Sequence, residues 1–220
     1  MKIAIMGSGA VGAYVGARLQ AAGVDVTFIA RGAHLQAMQQ HGLSIQMPGK
    51  DLSLPQVNAT EHPSSIGHVD LVIFAVKLTD TAAAAQSLRS VVSEQTRVLT
   101  LQNGIDSVGM ISKELPDAKV RGGVIYVSAV IDSPGVIKSP GGFHRVVADN
   151  ASNDPVMQAF SSLAEKCTAL DVSLVDDINT IIWEKFMGLA AFSGWLFQVV
   201  KRECRRLGRQ AFRYDPYDEA

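Results

Sequence analysis

The chain has 220 residues, 47% of them apolar, enough for one large domain or one domain with the beginning of a second. Twenty Lys and Arg stand against 21 Asp and Glu, so a general electrostatic partner such as nucleic acid or an anionic membrane is not implied. Two isolated cysteines, Cys167 and Cys204, make neither a disulfide framework nor a zinc site and fit a reducing compartment.

Residues 2–6 read as a short buried strand running straight into Gly7-Ser8-Gly9-Ala10-Val11-Gly12. No basic segment, apolar segment and cleavage site occur there in order, so the expectation is a soluble cytoplasmic protein. Residues 11–22 carry helix formers with Gly23 as a cap, and residues 24–30 form a second β-branched run. Two strands joined by one helix within about 30 residues predict a right-handed βαβ unit.

The alternation continues with a helix over 33–40 and short strands over 43–46 and 52–57. Residues 70–76 form a near-continuous apolar strand of the kind buried on both faces of a parallel sheet. An alanine-rich helix is predicted over 81–92 and another buried strand over 97–101. Residues 120–131 with the Pro134-Gly135 turn predict a long strand and hairpin at the far side of the sheet. Asp154 followed by Pro155 opens a helix expected to reach about residue 169, and residues 172–175 make one more strand.

From residue 178 the texture changes to a single long helix over about 179–200. Its longest uncharged run, residues 186–200, is fifteen residues, short of the ~20 that a membrane span needs. The fold class expected is α/β: a Rossmann-type doubly wound sheet over 1–176, then the start of an all-helical second domain over 177–220. The last part, with Lys201, Arg202, Arg205, Arg206, Arg209 and Arg213, reads as a solvated basic tail with little order. Weak, salt-sensitive polyanion binding is its less favoured reading.

The glycine motif follows a strand and opens a helix, the setting in which each glycine has a job. Gly7 permits the tight turn, Gly9 lets backbone approach a pyrophosphate, and Gly12 lets helix pack on strand. Unpaired N–H groups of the helix start then face the phosphates. A bare tight turn would show the same glycines.

The second strand ends in Phe28-Ile29-Ala30-Arg31-Gly32, without the Asp or Glu that would accept from ribose hydroxyls. A guanidinium there can grip a 2′-phosphate, so Arg31 argues for NADP(H), unless it is an ordinary surface arginine. Lys77 and Asn103 also follow predicted strands, where ligands of open α/β sheets bind. Lys77 could meet a phosphate, and Asn103 the nicotinamide ribose or the substrate. Asn103-Gly104 could equally be turn chemistry.

In order and spacing, the glycine segment, Ala30-Arg31-Gly32, Val76-Lys77, Gln102-Asn103-Gly104 and Ile182-Trp183-Glu184-Lys185 resemble the ketopantoate reductase (2-dehydropantoate 2-reductase) family over about residues 1–194. The resemblance implies NADPH-dependent reduction of a 2-oxo acid, in the pantothenate and coenzyme A pathway. It implies that residues 7–12 bind the pyrophosphate, Arg31 and Lys77 the adenosine end, and Asn103 and Ala129 the nicotinamide side. Lys185 matches the family's catalytic lysine, the proton donor. Without that match it would read as a surface lysine on an amphipathic helix.

The family often carries asparagines four and eight residues after this lysine; here Leu189 and Ser193 stand there. Residues 195–220 do not resemble the family's helical domain, so the expectation is a truncated or frame-shifted member. Trp195, Leu196 and Phe197 would then lack partners and promote self-association. The alternative reading is an NADP(H)-binding module without turnover.

Overall fold

The computed structural model describes residues 1–151 and 153–206, with side chains of residues 193 and 196–206 outside the described set. The basic tail beyond 206, and the expected exposure of Leu196 and Phe197, lie outside it as well.

The chain alternates strand and helix from its start: β1 (Lys2–Met6), α1 (Ala10–Ala21), β2 (Asp25–Ile29) and α2 (Gly32–His41). The βαβ unit forms as predicted because β1 is buried along nearly its whole length and pairs in parallel with β2, Ile3 opposite Val26 and Ile5 opposite Phe28. The end of α1 is set by a Schellman arrangement. Gly23 takes φ +86°, its N–H donates to Gln20 O at 2.9 Å, and the Val24 N–H donates to Leu19 O at 3.1 Å. That turn reverses the chain directly into β2.

The main sheet has eight strands. To the two above it adds β5 (Asn58–Thr60), β6 (Leu71–Phe74), β7 (Arg97–Thr100), β8 (Lys119–Val127), β11 (His144–Asp149) and β12 (Asp171–Val175). Their order is β12-β11-β8-β7-β6-β1-β2-β5, parallel except where β11 runs antiparallel to β8. The chain winds outward from β1 in both directions, so the β1/β6 boundary is the point where strand order reverses. All four residues of β6 and of β7 are buried, matching the unbroken apolar run in the first and showing that Arg97 and Thr100 are enclosed in the second. This is the doubly wound α/β architecture.

A separate four-stranded sheet holds β3 (Leu43–Gln46), β4 (Leu52–Leu54), β9 (Val130–Ser133) and β10 (Val136–Lys138), ordered β4-β3-β10-β9. The Pro134-Gly135 hairpin is present, but it belongs to this small sheet, because β10 pairs in parallel with β3 rather than joining the end of the large one. The remaining helices are α3 (Thr81–Ser87), α4 (Ser107–Glu114), α5 (Pro155–Ala164) and α6 (Ile178–Arg206).

Several boundaries differ from expectation for local reasons. α3 stops at Ser87, whose hydroxyl donates back to Ala84 O at 2.7 Å and competes with the helical ladder. α5 ends at Ala164 through tighter bonds, Lys166 N–H to Leu163 O and Cys167 N–H to Ala164 O, before Ala169 turns at φ +55°. Its start is as predicted: the Asp154 carboxylate accepts from the Val156 N–H at 3.1 Å and Pro155 occupies the first turn.

Two cores flank the sheet. One joins Ile3, Ile5, Tyr14, Phe28, Leu71 and Ile73 with α1; the other joins Ala4, Val72, Phe74, Leu88, Val98 and Ile111 under α3 and α4. Phe28 is fully enclosed against Gly16, worth ~1.5–3 kcal/mol in apolar burial. Among the described residues no helix is long and apolar enough to cross a membrane.

Candidate active site

The glycine segment sits at the carboxyl end of β1, at the point of strand reversal. Gly7 adopts φ +89°, and a Cβ there would lie 2.6 Å from Val76 Cγ1 and 2.7 Å from Val76 N, so only glycine fits between β1 and the end of β6. A Cβ on Gly12 would collide with Gly7 O and the Ile5 side chain. Gly9 is different: a Cβ there would meet nothing within 4 Å. The protein's own packing demands Gly7 and Gly12 but leaves open space at Gly9.

Ser8 is buried and turned inward. Its N–H donates to Ile29 O at 3.0 Å and its hydroxyl to Ile5 O at 3.2 Å, tying the loop to both first strands. Ala10 and Val11 form the half-buried first turn of α1. Gly9 caps that helix without a side-chain bond, and its first turn holds no acidic residue. Among the described residues the positive end of the helix dipole is thus left without a capping side chain or a first-turn carboxylate.

Arg31 caps α2 at the end of β2, its side chain 80% exposed. The local sequence shows no carboxylate beside it, yet the fold brings one: Asp80, in the short 3-10 turn after β6, lies 3.0 Å from Arg31 Nη2. Lys77 and Asn103 are both exposed, at the carboxyl ends of β6 and β7, and neither side chain hydrogen-bonds among the described residues. Ala129 follows β8, half-buried against the larger core.

Three residues to which the sequence reading gave no role shape this edge. Gln102 is buried, its amide donating to Val76 O at 3.1 Å and Thr81 Oγ1 at 2.8 Å, so it locks the segment carrying Lys77 to the segment carrying Asn103. Asp80 is the second. The third is His34 on α2, whose Nδ1 accepts the Gly135 N–H at 3.1 Å; burial pushes its pKa down, opposed by a backbone contact with Ser8. Gln102 neighbours the Asn103-Gly104 pair, but a sequence gives no sign that its amide spans two strands.

Lys185 projects from α6 toward β8. β7 pairs with β8 only as far as Gly122, so residues 123–127 run past the carboxyl end of β7. There the Lys185 ammonium donates to Ile125 O at 2.7 Å and lies 5.4 Å from the Tyr126 ring centroid. Burial lowers its pKa below the ordinary lysine value. α6 is held to the strand at its base, where Ile178 and Ile182 pack over Gly122. Leu189, four residues beyond Lys185, is exposed, and the Ser193 side chain lies outside the described set.

Together the glycine loop, Arg31, Lys77, Asn103 and Lys185 lie at the carboxyl ends of the parallel strands β1, β2, β6, β7 and β8. That edge can hold a phosphorylated ligand along the β1–α1 turn and present an ammonium near the sheet's far side.

The family profile described as Ketopantoate reductase PanE/ApbA matches residues 3–152. The chain is 30% identical over 216 residues to a 2-dehydropantoate 2-reductase of Mesorhizobium japonicum, covering 88% of this chain and 65% of the relative. Among solved structures it resembles a PanE/ApbA family ketopantoate reductase from Ralstonia eutropha JMP134, with TM-score 0.76 and 33% identity over 84% of this chain and 60% of that one. It also resembles a D-mandelate dehydrogenase solved with NADH and anilino(oxo)acetate, with TM-score 0.73 and 29% identity over 84% and 60% of the two chains. The chain therefore spans roughly three fifths to two thirds of the length of these relatives. With the profile covering most of the sheet and the glycine loop in place, the chain belongs to the ketopantoate reductase PanE/ApbA family.

Proposed function

We propose that this chain binds NADPH along its carboxyl edge and contributes the proton donor for reduction of a 2-oxo acid such as ketopantoate to the 2-hydroxy acid. The observation that carries the reading is the contrast among the three glycines. Gly7 and Gly12 are required by internal packing, whereas Gly9 faces open space at an uncapped helix start. A pyrophosphate seated there accepts from the first N–H groups of α1.

Arg31 and Lys77 hold the adenosine end, Arg31 exchanging Asp80 for the 2′-phosphate, and Asn103 and Ala129 border the nicotinamide. Ser8 shapes the loop from within. Bound NADPH supplies the hydride. Lys185 supplies the proton: charge develops on the ketone oxygen as the carbon is reduced, and the ammonium stabilises and then protonates it. The Ile125 carbonyl fixes the Lys185 side chain while leaving two N–H bonds for the substrate. Residues from 177 onward are read as the first part of a helical second domain.

One observation favours the alternative, a nucleotide-binding module without turnover. Leu189 stands exposed one turn beyond Lys185, where no amide is available for substrate. Titrating NADPH fluorescence and following NADPH consumption with ketopantoate separates the two. Binding with turnover supports the reductase; binding alone selects the module; absence of NADPH binding by folded protein overturns both.

A further inference from the structure

At the opposite end of α1 from the glycine loop, Ala21 and Ala22 border a cavity of about 590 Å³. Arg18, Lys50, Lys166 and His144 line it, with Asp51 as its one carboxylate. Arg18 is more than nine-tenths buried, yet no carboxylate among the described residues pairs with it. Its Nη2 donates to Tyr14 Oη at 3.4 Å and to Met47 Sδ, both neutral, while Nε is enclosed and has no partner. A buried cation without a counter-charge is costly, and that cost is relieved when an anion arrives.

The frame around Arg18 is fixed. Tyr14 Oη is 3.1 Å from both Ala169 O and His144 Nδ1, and the guanidinium lies 5.1 Å from the Tyr14 ring centroid. Asp51 is engaged by the Met47 N–H at 2.9 Å, within its own turn. The end of α1 presents the negative pole of its dipole here, so attraction for an anion comes from the side chains.

We propose that this cavity is a second ligand site, which takes a small organic phosphate with its phosphoryl group on Arg18 between Lys50 and Lys166. Three cations against one carboxylate leave an excess matching a phosphate monoester dianion. The guanidinium offers a charge-assisted bond to a phosphate oxygen, and Met47, Pro48 and Leu52 offer an apolar wall to the organic remainder. The cavity falls in the size range of small-molecule sites and exceeds the need of inorganic phosphate alone.

Calorimetric titration of the chain at low salt with inorganic phosphate and with glycerol 3-phosphate, each with and without saturating NADPH, tests this. The expected result is saturable one-to-one binding, tighter for glycerol 3-phosphate and unaffected by NADPH. Affinity falls at least tenfold in R18Q and in K50Q/K166Q. The lysine pair is exposed, so K50Q/K166Q carries the test even where R18Q does not fold. Absence of saturable heat, preference for inorganic phosphate, displacement by NADPH, or unchanged affinity in K50Q/K166Q would each overturn the proposal.

Discussion

Arg31 and Asp80, 49 residues apart in the chain, close a 3.0 Å ion pair across the carboxyl edge of the sheet. Both are substantially exposed, so the pair contributes little to stability. On the proposed reading it bears on selectivity, since Asp80 places a negative charge beside the guanidinium assigned to the 2′-phosphate.

Replacing Arg31 with Ala should weaken NADPH binding by roughly ten- to a hundredfold, the loss of one or two charge-assisted hydrogen bonds. NADH binding should change by less than about threefold. Asp80→Ala should act oppositely, tightening NADPH by about two- to fivefold as the competing carboxylate disappears. Fluorescence titrations with both nucleotides check each arm. Equal losses for NADPH and NADH in Arg31→Ala would refute the 2′-phosphate assignment.

The glycines should separate folding from binding. Gly12→Ala forces a methyl into Gly7 O and should cost ~1–3 kcal/mol in urea denaturation. Gly9→Ala should leave stability within ~0.5 kcal/mol while weakening NADPH by about tenfold or more through crowding of the pyrophosphate. Unchanged nucleotide affinity in Gly9→Ala would show that the open space there is not a phosphate seat.

Burial lowers the Lys185 pKa, so its ammonium should titrate below the ~10.4 of a free lysine. In the role proposed for Lys185 the protonated form is the donor, so the rate of 2-oxo acid reduction should fall on the alkaline side at lower pH than free lysine predicts. Between the folded and unfolded values the unfolded chain holds more protons, so this group makes stability rise with pH in that window. NMR titration of isotope-labelled lysine follows the group directly, without requiring activity. Lys185→Gln should reduce turnover by about a hundredfold or more and leave NADPH affinity nearly unchanged.

Asp154 anchors three elements, accepting from Arg97 on β7 at 2.5 Å, from Arg121 on β8 at 2.7 Å and from the first turn of α5. Burial pushes its carboxyl up, but the bonds from Arg97, Arg121 and the Val156 N–H outweigh that and hold it below the usual value. Its stabilisation is fully present above the unfolded-state pKa of ~3.9 and is lost as pH falls through the folded value. Asp154→Asn should cost ~3–5 kcal/mol at pH 7, with the gap to wild type closing in urea melts taken below pH 4. A gap independent of pH would assign the cost to packing.

α6 exposes Trp183, Phe186, Met187, Leu189, Phe192 and Trp195. A surface of that kind should drive concentration-dependent association of this chain, visible in sedimentation velocity and relieved by Phe192→Glu with Trp195→Glu. A single monomeric species at all concentrations would contradict it.

The repeating strand and helix pattern was legible because β6 and β7 are buried throughout and β1 at all but its first residue, so their runs stand out. The site's positions at strand ends were legible for the same reason, since Arg31, Lys77 and Asn103 each follow such a run. Short strands were harder. β5 is three residues without a wholly buried position, and β11 is a buried Val146-Val147-Ala148 centre between polar ends, recognisable only once β8 is beside it. The Arg31–Asp80 pair, the Gln102 bridge and the isolation of Arg18 depend on distant segments meeting, which no local pattern encodes.

Placing β1 in the middle of the large sheet has a consequence for biogenesis. Its first neighbour, β2, begins at Asp25, yet its second, β6, begins only at Leu71. Until that segment emerges, one flank of a strand that is apolar from Ile3 to Met6 lacks its mate. Nascent chains stalled between these two points should be the ones most prone to clump or to recruit chaperones, and the glycine turn, which packs Gly7 against Val76, cannot assemble before Val76 emerges.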